Sequence, residues 1–216
     1  MFLVEREIAK CAVKKCGVNI RHLSLELQHD PEIAKLAVFN AWESIMYLPQ
    51  ELAQNKEIID IATTQNVAAL KYASSDYTNN REIMMRLINN DWYALKFASA
   101  TLKNDYTIVK SAVSQSGYAI KYASTQLRED LTIIRCALQT TGQALQYAPW
   151  SFKDNEEIVR LAISENGYAI MHASQRLKND VDMNIAAIRQ NLHIYSFISP
   201  SIKENKHVIA CMKTMI

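Results

Sequence analysis

The 216-residue chain is poor in residues that turn or cross-link a backbone, with four glycines, four prolines and four cysteines. So few turn formers exclude a turn-rich all-β fold. The cysteines (Cys11, Cys16, Cys136 and Cys211) include no CxxC pair and match no zinc spacing. They read as reduced, mostly buried thiols of a reducing compartment. Charge of one sign is also missing. Lys+Arg total 24 and Asp+Glu 22, and the net charge of +2 does not by itself direct the chain to nucleic acid or an anionic membrane. No apolar run approaches the length of a membrane span. The opening residues, Met1 to Glu7, do not read as a secretory leader, because acids interrupt the apolar stretch at once. What is present is 49% hydrophobic and 21% charged, the balance of a soluble folded protein.

A repeat of 25 residues organises all of it. Isoleucine recurs at Ile8, Ile33, Ile58, Ile83, Ile108, Ile133 and Ile158, and Met183 and Val208 continue the series without a slip. Three residues before this reference stands Asp or Asn, from Asp30 and Asn55 to Asp180 and Asn205. Four after it stands a small residue, usually alanine, with Leu87 and Met212 as exceptions. All four glycines (Gly17, Gly117, Gly142 and Gly167) fall nine after it. Fourteen after it is an aromatic ring: His22, Tyr47, Tyr72, Phe97, Tyr122, Tyr147, His172 and Phe197. Nineteen after it is a large apolar residue, mostly leucine, with Tyr77 in the third unit.

These columns predict a pair of helices per unit. The Asp/Asn is an N-cap, followed by first-turn acids such as Glu32, Glu57, Glu82 and Glu157 that suit the helix dipole. Apolar residues at 0, 1, 4 and 5, as in Ile108, Val109, Ala112 and Val113, form one face of the first helix. The glycine is expected to end that helix in a left-handed conformation, with Asn66 or Asp91 taking the role where glycine is absent. A shorter second helix follows, with Ala119, Ile120 and Ala123 inward, and Ser, Pro49 or Pro149 at its end. Helices this short are marginal alone in water, so successive units must stack. The expected fold is all-α: an α-solenoid, a superhelical array of 25-residue helix-turn-helix repeats, forming a single domain over residues 1–216. About eight hairpins and a terminal helix are expected. Because Cys211 and Met212 look unsuited to an exposed cap, the sequence also reads as a piece of a longer array.

The segments Ser116–Ser124 and Asn166–Asp180, with their Gly-Tyr-Ala-Ile cores, resemble the uncharacterised helical repeat family called domain of unknown function 4116. The stretch from Asn80 to Asp180 is the most similar. Trp42, Val67 and Leu192, standing where glycine is usual, depart from the pattern. The resemblance implies a helical repeat and an effector that an intracellular bacterium secretes into a host cell. It carries over no catalytic residue and no cofactor.

No catalytic or metal set assembles in the sequence. There is no glycine-rich phosphate loop, HExxH or CxxC motif, and most carboxylates lie at helix starts. His22 and His172 occupy the aromatic column and read as packed rings, and Cys136 reads as a small core thiol. An enzyme is therefore not expected. One surface pattern stands out. Lys71, Lys96 and Lys121 share a column, beside Tyr93 and Tyr118, which precede Phe97 and Tyr122 by four. Such a ridge can grip an acidic peptide or stack nucleobases, and it can equally be a solvated lysine row over packing rings. A second basic row (Lys10, Lys35, Lys110, Arg135 and Arg160) runs along the first helices and is broken by Asp60. Trp42, Trp92 and Trp150 read as plugs between units, with Trp42 also a candidate anchor for a partner. The reading is a non-catalytic protein-interaction scaffold without a membrane span. The alternatives are a single-stranded nucleic-acid binder and a positioning arm of a larger protein.

Overall fold

Each repeat begins where an Asp or Asn side chain meets the free N–H groups of a new helix. In the computed structural model, which describes residues 2–215, Asp105 accepts from the N–H groups of Thr107 and Ile108 at 2.9 and 3.0 Å. The helix Tyr106–Gln115 follows, and Ser116 stops it by adopting extended backbone at φ −152°. Gly117–Tyr122 then forms a 3₁₀ helix, and the Ser124 hydroxyl accepts the Leu127 N–H at 3.2 Å to open a third segment, Thr125–Arg128. The same sequence of segments recurs along the chain, as in Pro31–Asn40, Trp42–Tyr47 and Gln50–Ala53. The unit is thus all-α, and no strand occurs among the described residues. It has three helical segments where two were expected. The serine read as the end of a second helix is the cap of a third.

The 3₁₀ geometry has a physical use. Three residues per turn place Gly117, Ile120 and Ala123 on one edge, and all three are buried. The first helix buries Ile108, Val109, Ala112 and Val113 completely. Backbone bonds also link neighbouring repeats: Ser124 N–H donates to the Lys103 carbonyl at 2.9 Å, and Ser174 N–H to the Lys153 carbonyl at 2.8 Å. The repeats group into two compact units, Met1–Ser99 and Ala100–Ile216.

The glycines do not do what their position suggested. None has positive φ, and neither Asn66 nor Asp91 is left-handed. Glycine is needed because the next repeat comes too close for a side chain. A Cβ on Gly117 would lie 2.1 Å from the carbonyl oxygen of Ala137, and one on Gly17 would lie 2.1 Å from that of Ala37. The alanine column supplies the other half of this contact, since it is the alanine's own backbone that touches the glycine. Asn66 and Asp91 instead cap the 3₁₀ helices, accepting the N–H groups of Ala68 and Tyr93 at 2.8 Å each.

In the first unit, one junction breaks this rule three times. Val67 replaces glycine, Leu87 replaces alanine, and Tyr77 replaces leucine, all buried. The added volume separates helix Arg81–Asn90 from Lys56–Gln65. Ile83 is left half-buried, whereas Ile33 and Ile58 are fully covered. The Tyr77 hydroxyl finds a partner in Asp60, donating at 2.6 Å, and Arg86 donates to the same carboxylate oxygen at 2.9 Å. Asp60 interrupts the basic row because this junction needs an acceptor. At the start of the same unit, Phe2–Lys15 presents Leu3, Val4 and Ile8 to solvent on the face that later repeats cover.

Replacing Gly117 with alanine forces backbone apart and is expected to destabilise the protein by about 1–3 kcal/mol. Chemical denaturation of G117A checks it, with an exposed alanine replacement such as Gln126→Ala as the control near zero.

Candidate functional site

The Lys–aromatic column lies on the outer edge of the 3₁₀ helices. Residues of this edge follow each other every three positions, so Tyr118 and Lys121 point outward while Ile120 points inward. In the first unit, Lys71 is exposed with its Nζ 4.6 Å from the Tyr72 ring centroid. Lys96 is exposed over two rings, 5.0 Å from Tyr93 and 5.2 Å from Phe97, and donates to the Tyr93 hydroxyl at 2.8 Å. Trp92, Tyr93 and Phe97 form a run of edge-to-face contacts at 5.7 and 5.9 Å. In the second unit, Lys121 stands over Tyr122 and Tyr147 at 5.8 and 5.7 Å. Tyr118 meets Tyr147 edge-to-face at 6.4 Å and donates its hydroxyl proton to Gln143 at 2.9 Å.

The rings therefore do two things. Half-buried, they seal one repeat against the next, as Tyr118 and Tyr147 do, whereas the Tyr168–Phe197 contact at 5.8 Å leaves Phe197 58% exposed. Their outer faces and edges carry the lysines, whose ammonium groups are held by the ring quadrupole. Among the described residues, Lys71 and Lys121 form no ion pair. The structure brings together Tyr93, Lys96 and Phe97 in one unit and Tyr118, Lys121 and Tyr122 in the other. It adds Tyr72 and Tyr147 of the aromatic column to these clusters. Trp42 joins no ring cluster among the described residues. It is half-buried, and its backbone N–H donates to the Gln65 side-chain oxygen at 3.2 Å.

Most of the second basic row is used in ion pairs, three of them between repeats; Arg160 pairs with Glu156 of its own helix at 3.0 Å, and Lys110 stands over the Tyr106 ring at 5.7 Å. Lys10 pairs with Glu32 at 3.0 Å, Lys35 with Glu57, and Arg135 with Glu157. Each acid sits in the first turn of the following repeat. Arg6 reinforces this pattern, donating to Asp30 at 2.5 Å and to Glu32 at 2.7 Å, and its guanidinium holds the Asp30 carboxyl below the usual range. Such exposed pairs are screened by salt and add little stability, but they neutralise most of the row.

Several expectations need correction. Cys11 and Cys16 are exposed, Cys136 is half-buried, and only Cys211 is buried, so the thiols are not mostly core. His22 is exposed and accepts from Arg21 at 2.8 Å rather than packing as a ring. Trp150 is 67% exposed and plugs nothing. His172 is half-buried, as its column suggested. Burial lowers its affinity for a proton, and the charges of Lys153 and Lys178 lower it further. Burial and the Asp60 carboxylate together push the Tyr77 phenol well above its ordinary value. No three His, Cys, Asp or Glu side chains gather as a metal site among the described residues, and no helix is long and apolar enough to cross a membrane.

Short helical segments stacked through a 25-residue register define the class: an all-α repeat protein of the α-solenoid kind. The chain belongs to the family described as Domain of unknown function (DUF4116), whose pattern matches residues 5–53, 32–78, 55–103, 80–128, 105–153 and 155–203. Each match spans nearly two repeats, and successive matches start one or two repeats apart. No curated protein and no solved structure matches the chain.

Two outcomes follow from these contacts. Asp60→Ala strands a buried phenol and is expected to cost about 1–3 kcal/mol. The same replacement in a Tyr77→Leu background should cost much less, which a double-mutant cycle by denaturation measures. His172 holds its proton less tightly in the native state than in the unfolded chain, so its contribution to stability is full above its ordinary pKa of 6.5 and declines as pH falls below it. Replacing His172 with tyrosine, the residue found at Tyr147, should flatten the stability profile in that window, read from melting curves between about pH 5 and pH 7.

Proposed function

We propose that this chain is a non-catalytic protein-interaction scaffold whose exposed Lys–aromatic clusters take an acidic surface of a protein partner. What carries the reading is the contrast between the two basic rows. In the first-helix row, Lys10, Lys35 and Arg135 meet carboxylates of the following repeat and Arg160 meets Glu156 of its own helix, while Lys110 stands over the Tyr106 ring. Lys71 and Lys121 pair with no carboxylate among the described residues, and they and Lys96 hold their ammonium groups over aromatic rings on exposed side chains. An ammonium on a ring retains charge for a partner and is positioned at low entropic cost. The rings beside it add apolar contact area of the kind enriched at interfaces. On this reading each unit offers its own cluster, and Trp42 in the first unit is an accessory contact. The family resemblance extends the proposal to an effector of an intracellular bacterium, with a host protein as the partner.

Reversing the charge at Lys71, Lys96 and Lys121 tests it. Affinity capture with the wild-type protein is expected to recover a defined protein partner in a salt-sensitive complex. The triple glutamate variant, with an unchanged melting curve, should bind that partner at least about tenfold more weakly. A partner retained by the triple variant overturns the assignment of the face. Capture that disappears on nuclease treatment moves the protein to the single-stranded nucleic-acid class.

A further inference from the structure

Gln65 shows how one repeat seals another. Its Oε1 accepts the Trp42 N–H at 3.2 Å, while its Nε2 donates to the carbonyls of Val38 and Phe39 at 2.8 and 3.0 Å. Gln190 repeats the arrangement in the second unit. Its Oε1 accepts the Gly167 N–H at 2.6 Å, and its Nε2 donates to the Glu165 carbonyl at 3.1 Å. In both places a single carboxamide satisfies the carbonyl end of a first helix and the first N–H of the 3₁₀ helix together. The group is well suited to the task because it carries a donor and an acceptor a fixed distance apart.

The junction after the third repeat presents the same backbone without the carboxamide. Helix Lys56–Gln65 ends, Asn66 is extended, and the 3₁₀ helix starts at Val67. The residue corresponding to Gln65 is Asn90, one methylene shorter. Its side chain is exposed and bonds to nothing among the described residues, and the Val67 N–H likewise has no partner there. Where a junction has no bridging side chain but keeps its glycine, as at Gly142, the backbone of Ala162 closes in and fills the space. At Val67 that closure is blocked by its own side chain, by Leu87 and by Tyr77. A cleft of about 480 Å³ remains between the Thr63–Val67 backbone on one side and Leu87, Asn90 and Asp91 on the other.

We propose that this cleft binds a primary carboxamide. The amide oxygen accepts the Val67 N–H, and the amide nitrogen donates to the carbonyls of Thr63 and Thr64, the positions equivalent to Val38 and Phe39. Leu87 packs against the aliphatic stem. A carboxylate of the same shape is rejected, because it cannot donate to the carbonyls and meets both the negative end of a helix and the Asp91 side chain. The ligand is therefore glutamine-like and not glutamate-like, whether free or carried on a polypeptide. The cleft uses none of the ridge lysines, so it stands or falls separately from the face proposed above.

Titration of the ¹⁵N-labelled full chain tests this, with the Val67 and Leu87 amide resonances as reporters. The probes are L-glutamine, L-glutamate, and the capped peptides acetyl-Ala-Gln-Ala-methylamide and acetyl-Ala-Glu-Ala-methylamide. The glutamine forms are expected to shift both resonances and the glutamate forms to leave them in place. A response to the peptide identifies a polypeptide side chain as the ligand, and a response to the amino acid alone identifies a free amide. Asn90→Gln supplies the missing group from within. It should raise the melting temperature by a few degrees and weaken probe binding at least about tenfold, while Asn90→Ala keeps the binding. Lys71→Glu with Lys96→Glu should leave the shifts unchanged. No shift with either glutamine probe, equal response to glutamate, or undiminished binding by Asn90→Gln overturns the proposal.

Discussion

The approach of an alanine carbonyl to a position without a Cβ sets the spacing on which the rest of each unit depends. At Gly17, Gly117, Gly142 and Gly167 the next repeat comes within 2.1 to 2.6 Å of where a side chain would begin. This proximity brings the isoleucines of one first helix onto the next and buries them fully. It also decides the reach of every bridging group. Lys10 and Arg135 meet acids of the following repeat, and Tyr118 meets Tyr147, because the repeats are that close. The glycine is thus a packing residue, and its conformational freedom is not used.

The same constraint explains what happens when it is relaxed. Val67, Tyr77 and Leu87 are each an ordinary hydrophobic substitution in a separate column. Together they face one junction, and their combined volume holds two first helices apart. The structure answers on one side with the Tyr77–Asp60–Arg86 network, which satisfies a buried hydroxyl, and on the other leaves a cleft. A buried polar group that finds its partner specifies a junction as strongly as close packing does, since an unpaired phenol there is costly.

Charge is partitioned by location. Lys10, Lys35 and Arg135 on first helices neighbour acids in the first turn of the next repeat, so they are neutralised within the stack. Lys71, Lys96 and Lys121 on the 3₁₀ edge stand over rings of the aromatic column. Two rows that look alike in sequence therefore differ in what they leave for solvent or a partner.

Length, composition and the 25-residue register determined the fold class, the helix starts and the inward faces. N-caps, helical periodicity and burial act over a few residues and leave a direct trace in sequence. The aromatic column and its lysines were legible for the same reason, although whether they were open to solvent was not. Tertiary structure alone decided that the glycines serve close approach, that the second helix is 3₁₀ with a third segment behind it, and that most of one basic row is spent on ion pairs. It alone brought Val67, Tyr77 and Leu87 to one junction. Each of these depends on the distance between atoms of successive repeats, which no single repeat encodes.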